Sequence, residues 1–159
     1  GGKLDVHIDF NKHRKLNIER RLNALLYLNQ DWEESYGGCF EIWRGETDDQ
    51  GEHHLTECVE KILPLFNRFV VFSTSEESYH GHPDPLLCPE DRARQSLALY
   101  YYTVDRPENE KAPAHSTIFV QRPQHVVEQA VDPGYVEKRY PKPMRRAFNK
   151  FVSTLKGDE

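Results

Sequence analysis

Hydrophobic and polar residues alternate without interruption at the start of the chain. Over residues 3–10 every second side chain is apolar, and the side chains between them are polar or charged. The apolar face carries Leu4, Val6, Ile8 and Phe10, and the polar face carries Lys3, Asp5, His7 and Asp9. Period-two alternation is typical of a β-strand with one covered face. The chain therefore opens on a strand, which is consistent with truncation at the N-terminus.

Five more apolar stretches predict strands, and polar or proline-rich segments separate them. The stretches are residues 21–28, 36–43, 68–73, 94–103 and 115–121. The polar, acidic segment 44–54 predicts a surface loop, and three prolines in residues 83–89 exclude regular structure there. Many short strands joined by long loops favour a β-sandwich or an open barrel.

The last part of the chain has a different pattern. Over residues 143–156 the apolar side chains follow helical spacing, and Pro143 stands at the start, where proline is well tolerated. We predict one domain, since 159 residues suit a single core. Its β core covers residues 1–121, and its C-terminal extension, residues 122–159, adds a supporting helix at about 143–156.

Composition narrows the function classes. Hydrophobic residues make up 37% and charged residues 30%, as in soluble globular proteins. No apolar run approaches the roughly 20 residues that cross a bilayer, so no membrane segment is expected. The net charge of −5 gives no basic footprint for nucleic acid. Three widely spaced cysteines form no zinc or disulfide motif, so we expect reduced thiols and a cytoplasmic protein.

The polar face of the first strand contains two potential metal ligands. His7 and Asp9 are two residues apart, so their side chains leave the strand on the same face. Such a pair alone is weak support for a metal site, because it occurs by chance in many proteins. Two histidines and one carboxylate form the facial triad that suits non-haem iron(II) and leaves coordination positions open. The pair therefore predicts a second histidine downstream.

Two residues are candidates for that second histidine, His80 and His82. His80 follows a turn and precedes Gly81, where a strand can begin. His82 precedes Pro83, which restricts its backbone, and we expect it to face the loop. This comparison favours His80 as the third metal ligand.

A separate set of residues has the chemistry of a carboxylate-binding site. Arg94 and Ser96 share one face of a predicted strand. A guanidinium binds a carboxylate through two parallel hydrogen bonds, and a nearby hydroxyl adds a third. Tyr27, on the second predicted strand, is a further potential donor. Spacing alone fits equally well with Arg94 as a surface residue and Tyr27 as a core residue.

Four short segments resemble a known family. They are residues 4–9 (LDVHID), 26–32 (LYLNQDW) followed by Gly37 and Gly38, 78–80 (SYH) and 94–97 (RQSL). In this order they are similar to the prolyl-4-hydroxylase-type branch of the iron(II)- and 2-oxoglutarate-dependent oxygenases, which includes the hypoxia-sensing prolyl hydroxylases. The resemblance covers roughly residues 1–104, and residues from about 121 onward have no such match.

The resemblance implies a fold and a set of site residues. The fold is a double-stranded β-helix, a mainly β core of the jelly-roll or cupin-like type. The catalytic residues and iron ligands are His7, Asp9 and His80, and the cosubstrate-binding residues are Arg94, Tyr27 and Ser96. The segment between His80 and Arg94 is longer than in the family, which makes Arg92 an alternative, but the Arg-x-Ser-Leu context favours Arg94.

The resemblance also implies a reaction. The expected activity is hydroxylation of a C–H bond, with Fe(II), 2-oxoglutarate and O2, release of succinate and CO2, and ascorbate as reductant. The expected substrate is a prolyl residue of a peptide, or another amino-acid-like or small molecule. A non-catalytic β-barrel module that binds a partner is the alternative from another class. A zinc or cupin-type enzyme without 2-oxoglutarate is a second alternative, in which Arg94 has no function.

Overall fold

Nearly all regular structure in this protein is β. The computed structural model describes residues 1–123, and it contains nine strands there. They are β1 (Leu4–Ile8), β2 (Lys12–His13), β3 (Ile18–Tyr27), β4 (Phe40–Thr47), β5 (His53–Ile62), β6 (Phe69–Ser73), β7 (Tyr79–His82), β8 (Ser96–Thr103) and β9 (Ile118–Phe119). Single 3-10 turns cover Glu34–Tyr36 and Glu108–Glu110. The predicted helix at 143–156 lies outside the described residues.

The strands form two antiparallel sheets. One sheet has the order β5-β4-β7-β1-β9. In the other sheet β3 pairs with β6 and with β8, and β2 pairs with the beginning of β3. The mainly β fold class is confirmed, and the sheets are consistent with a jelly-roll-like, double-stranded β-helix core. Within residues 1–123 no helix is long and apolar enough to cross a membrane.

The two sheets bury their facing side chains against each other. Tyr27 of β3, Phe40 of β4 and Val70 of β6 form one buried cluster. The ring centroids of Phe40 and Phe72, the latter from β6, are 5.0 Å apart, so this cluster joins both sheets. His80 of β7 packs on the same cluster, with its ring centroid 4.5 Å from that of Phe72. The apolar core therefore packs directly against the ring of His80.

Strands β1 and β7 pair across an irregularity that decides which side chains meet. Leu4 pairs with His82 and His7 pairs with His80, so three steps along β1 match two steps along β7. The additional residue makes β1 bulge opposite Gly81. A Cβ at that glycine would lie 2.8 Å from the carbonyl oxygen of Leu4, so glycine lets the two backbones approach. The pairing places His7 opposite His80, and opposed residues share one face of a sheet.

Because of this bulge, β1 differs from the regular alternation that the sequence predicts. Strand β1 ends at Ile8, so Asp9 follows the strand instead of lying within it. Val6 and Ile8 are buried, as the pattern predicts, whereas Leu4 is 41% exposed. The additional residue breaks the alternation between Leu4 and Val6, and Leu4 is therefore not part of the covered face.

The predicted surface loop at 44–54 is wrong. Strand β4 continues to Thr47 and β5 begins at His53, so only residues 48–52 form the turn between them. Strand β5 lies at the edge of its sheet, and most of its side chains are exposed. An edge strand with water on both faces does not require alternating apolar residues. The hydrophobic pattern of the sequence therefore does not predict β5.

We expect Gly81→Ala to lower the free energy of unfolding by about 1–3 kcal/mol, the usual cost of forcing atoms into a packed site. The added methyl group would collide with the β1 backbone and separate β1 from β7. Gly2→Ala is the matched control, because nothing lies within 4 Å of its added Cβ. Equilibrium urea unfolding measures both variants, and equal stabilities would show that the close approach at Gly81 is not needed.

Candidate active site

Three side chains that are distant in the sequence converge beside the core. His7 lies in β1, Asp9 directly follows the last residue of β1, and His80 lies in β7. Their potential ligand atoms all lie within 4.8 Å of one another. Nε2 of His7 is 3.8 Å from Oδ1 of Asp9, and Nε2 of His80 is 3.3 Å from Oδ2 of Asp9. The structure therefore brings together the three residues that the sequence predicts as metal ligands.

Backbone carbonyl groups orient both imidazoles. Nδ1 of His7 lies 2.8 Å from the carbonyl oxygen of Asp5, and Nδ1 of His80 lies 2.7 Å from that of Ser78. A carbonyl oxygen only accepts, so each Nδ1 carries the proton and donates it. Each Nε2 is then the ring nitrogen that faces Asp9, which is how metal-binding histidines are usually oriented.

The protonation states also suit a cation. Burial lowers the pKa of His7, and its electrostatic interaction with His80 lowers it further, so His7 is neutral at neutral pH. Burial acts to raise the pKa of Asp9, but its contacts with His80 and Arg20 outweigh this effect. The net result is a lowered pKa, and Asp9 is a carboxylate. Two imidazole nitrogens and one carboxylate form the donor set that suits iron(II) with open coordination positions.

A buried polar network fixes the carboxylate of Asp9. Nδ2 of Asn23 donates to Oδ2 of Asp9 at 2.6 Å, and the Arg20 guanidinium lies 3.2 Å from the same oxygen. Nε of Arg20 donates to Oδ1 of Asn23 at 2.8 Å. The guanidinium carbon of Arg20 lies 4.4 Å from the ring centroid of Phe10 and 4.1 Å from that of Tyr100. These contacts hold Asp9 in one orientation.

The sequence does not predict this network, for a reason of register. Arg20 and Asn23 are three residues apart, so regular alternation would place them on opposite faces of β3. The pairing of β3 with β8 shifts register between Arg20 and Leu22, and this irregularity changes the parity of the strand. Both polar side chains then reach Asp9.

Arg94 and Tyr27 form a second polar unit inside the protein. Arg94 lies just before β8, and its guanidinium donates to the phenol oxygen of Tyr27 at 3.2 Å and to the carbonyl oxygen of Gly38 at 2.8 Å. Burial lowers the pKa of Arg94, and contact with Tyr27 partly opposes this. Burial raises the pKa of Tyr27, so its phenol keeps its proton.

The charge of Arg94 has no carboxylate partner among the residues that the structure describes. An arginine stays protonated in proteins, and Arg94 is partly buried, where a charge without a counter-ion carries a cost. An anionic group that enters this site would therefore be stabilised there. A cosubstrate with a carboxylate at one end satisfies this requirement.

Arg92 and Ser96 lie in different surroundings. Arg92 is exposed and donates to the backbone carbonyl oxygens of Gln30 and Asp31, so it holds a loop. Ser96 pairs with Tyr27 across β8 and β3, and its side chain is exposed. Of the two arginines, Arg94 is the one that contacts Tyr27, and a role for Ser96 in cosubstrate binding stays a prediction.

The three potential metal ligands and Arg94 lie around the same apolar cluster. The ring centroid of Phe40 lies 5.6 Å from that of His80, and Phe40 also packs in the buried cluster with Tyr27. Tyr27 in turn contacts Arg94. A ligand with a metal-chelating group at one end of a short chain and a carboxylate at the other end has groups complementary to the potential metal ligands and to Arg94.

The expectation that His82 faces a loop is wrong. His82 is the last residue of β7 and lies two residues from His80, so both side chains are on the same face of the strand. Its backbone is extended because it precedes Pro83, and an extended backbone is also what a strand requires. Burial, with smaller contributions from Arg94 and His7, lowers the pKa of His82 to about 4.

We expect Asn23→Ala to weaken binding of a divalent cation by about 10- to 100-fold, as loss of a group that orients a metal ligand usually does. Binding of Mn(II), followed by the loss of the signal of free Mn(II) in electron paramagnetic resonance, measures this affinity. Asn109→Ala, at an exposed position, is the control. Unchanged affinity in Asn23→Ala would show that the network does not position Asp9.

Comparison with known proteins agrees with this geometry. Residues 1–102 match the family model described as the 2OG-Fe(II) oxygenase superfamily. Prolyl 3-hydroxylase OGFOD1 of Mus musculus is 25% identical over 134 residues, which cover 81% of this chain and 23% of that protein. The chain therefore spans about a quarter of the length of this relative. Because the family model covers most of the chain and all three clustered ligands, the chain belongs to the 2OG-Fe(II) oxygenase superfamily.

Proposed function

We propose that this protein hydroxylates a C–H bond of a prolyl residue or a similar amino-acid-like substrate. In this reaction the substrate, 2-oxoglutarate and O2 give the hydroxylated product, succinate and CO2. The observation that carries the proposal is the combination of a largely buried His-Asp-His cluster with a partly buried arginine that has no carboxylate partner among residues 1–123. The superfamily to which the chain belongs uses Fe(II), 2-oxoglutarate and O2.

The proposal assigns each end of the cosubstrate to residues of the chain. His7, Asp9 and His80 would hold the iron, which supplies the oxidising chemistry when 2-oxoglutarate and O2 are bound. Arg94 would pair with the distal carboxylate, and the phenol of Tyr27 would donate a hydrogen bond to it. Tyr27 suits this role because its raised pKa keeps it protonated.

Apolar side chains pack against both imidazoles of the site. Phe40 and Phe72 pack against the ring of His80. Phe119 of β9 packs against His7, with ring centroids 5.5 Å apart. An apolar wall around a polar site strengthens the electrostatic interactions within it, and it reduces side reactions with solvent.

The prolyl substrate is supported by similarity at the sequence level. The mouse relative is by name a prolyl 3-hydroxylase, and the four segments found in the sequence resemble the prolyl-4-hydroxylase-type branch. The two differ in the ring carbon that is oxidised, whereas the metal ligands serve either outcome. The position of hydroxylation therefore depends on how the substrate lies against the iron, and mass spectrometry of a hydroxylated peptide would assign it.

We expect Asp9→Ala and His80→Ala to abolish succinate formation, because each removes a ligand of the iron. The assay contains purified protein, Fe(II), 2-oxoglutarate and ascorbate as the proposed reductant, and succinate is measured without substrate as slow uncoupled turnover. His54→Ala is the control, since this exposed histidine pairs with Asp48 in the β4–β5 hairpin. Full turnover in His80→Ala together with its loss in His82→Ala would refute the ligand assignment.

Gly38→Ala should raise the 2-oxoglutarate concentration needed for half-maximal turnover by about tenfold, the cost of one charge-assisted hydrogen bond. An added Cβ would lie 3.0 Å from Cδ of Arg94 and 2.5 Å from Cδ2 of Leu86, so it would displace Arg94. Gly37→Ala is matched, because its φ of 66° is similar to the 72° of Gly38, while its Cβ would meet only the carbonyl oxygen of Pro85, at 4.0 Å.

Both glycine variants adopt the left-handed backbone region, so both should lose about 1–2 kcal/mol of stability. Thermal unfolding measures that shared cost. An equal 2-oxoglutarate requirement in the two variants would mean that Gly38 does not place Arg94.

A further inference from the structure

His82 has a polar atom that the protein leaves without a partner. Its Nδ1 is buried and makes no hydrogen bond within the part of the chain that the structure describes. The residue as a whole is only partly buried. A buried polar atom without a partner costs about 1–3 kcal/mol, and such atoms in native proteins call for an explanation.

The surroundings of Nδ1 indicate where the proton of the ring lies. A neutral imidazole has one N–H donor and one acceptor nitrogen. Buried N–H groups without an acceptor are rarer than acceptors without a donor. The proton is therefore better placed on Nε2 than on the unpartnered Nδ1. In this tautomer His82 offers a hydrogen-bond donor.

The position of His82 brings this donor close to the anion-binding end of the site. His82 and His80 project from the same face of β7, so His82 borders the interior that contains the metal ligands. Strand β7 runs antiparallel to β4 with Gly81 opposite Glu41, so its His82 end lies toward Gly38, whose carbonyl oxygen accepts a hydrogen bond from Arg94. A group that pairs with the guanidinium of Arg94 would accept hydrogen bonds in the same region.

We propose that His82 is a third cosubstrate-binding residue, whose imidazole N–H donates to the carboxylate of 2-oxoglutarate that Arg94 binds. This inference rests on the proposed function, because it requires 2-oxoglutarate in the site. It gives His82 a role other than that of a metal ligand. It also explains why a polar ring occupies an inward-facing position beside the apolar core.

The test compares two ligands on protein loaded with Mn(II), which needs no turnover. Isothermal titration measures the affinity for 2-oxoglutarate and for 2-oxobutanoate, which has the same 2-oxo acid group but no distal carboxylate. His82→Leu should bind 2-oxoglutarate about tenfold or more weakly, as expected for loss of a hydrogen bond to a charged group. Its affinity for 2-oxobutanoate and for Mn(II) should equal that of the wild type.

His82→Gln separates binding from structure, because its side-chain amide keeps an N–H donor. It should recover part of the affinity for 2-oxoglutarate that His82→Leu loses. Equal 2-oxoglutarate affinity in His82→Leu and wild type would overturn the inference, and so would equal weakening of both ligands. A wild-type protein that binds Mn(II) but not 2-oxoglutarate would overturn the proposed function itself, and the inference with it.

Discussion

The pairing of β1 with β7 across Gly81 is the constraint on which the whole site depends. It sets His7 opposite His80 and brings Asp9, just beyond the end of β1, to the same place. The close approach requires a residue without a side chain, since a Cβ at Gly81 would collide with the β1 backbone. The bulge that accompanies it leaves the carbonyl group of Asp5 beside Nδ1 of His7. Backbone geometry therefore controls both the position and the tautomer of a potential ligand.

Charge is distributed unequally between the two ends of the site. At the metal end, Asp9 is already matched by Arg20 and Asn23, so its orientation is fixed before any cation binds. At the other end, Arg94 has a phenol and a backbone carbonyl as partners but no carboxylate among the described residues. The first arrangement favours a preorganised cation site. The second is incomplete without an anion, and a 2-oxo dicarboxylate is complementary to both.

Regular alternation makes most of the site predictable from the sequence. Irregular and edge strands account for the features that the sequence does not predict. Alternation along residues 3–10 was enough to put His7 and Asp9 together, and the histidine chosen downstream, His80, lies beside them. Arg20 was not found, because a register shift in β3 changes its face. Strand β5 was missed because an edge strand carries little hydrophobic pattern. The positions of β-bulges and edge strands depend on which strands pair with each other. A single sequence does not show that pairing.

His82 shows how a correct local rule led to a wrong inference. The residue before a proline is restricted to extended backbone, and the prediction that His82 faces a loop rests on this rule. Extended backbone is equally the conformation of a strand, and β7 continues through His82 to the proline. His80 belongs to the cluster of potential metal ligands and His82 does not, although both lie on one face of β7. His80 is placed to bind the metal, and His82 lies toward the arginine. A His-Gly-His segment can thus serve both ends of a single ligand, with the glycine between them allowing the strand pairing that puts them there.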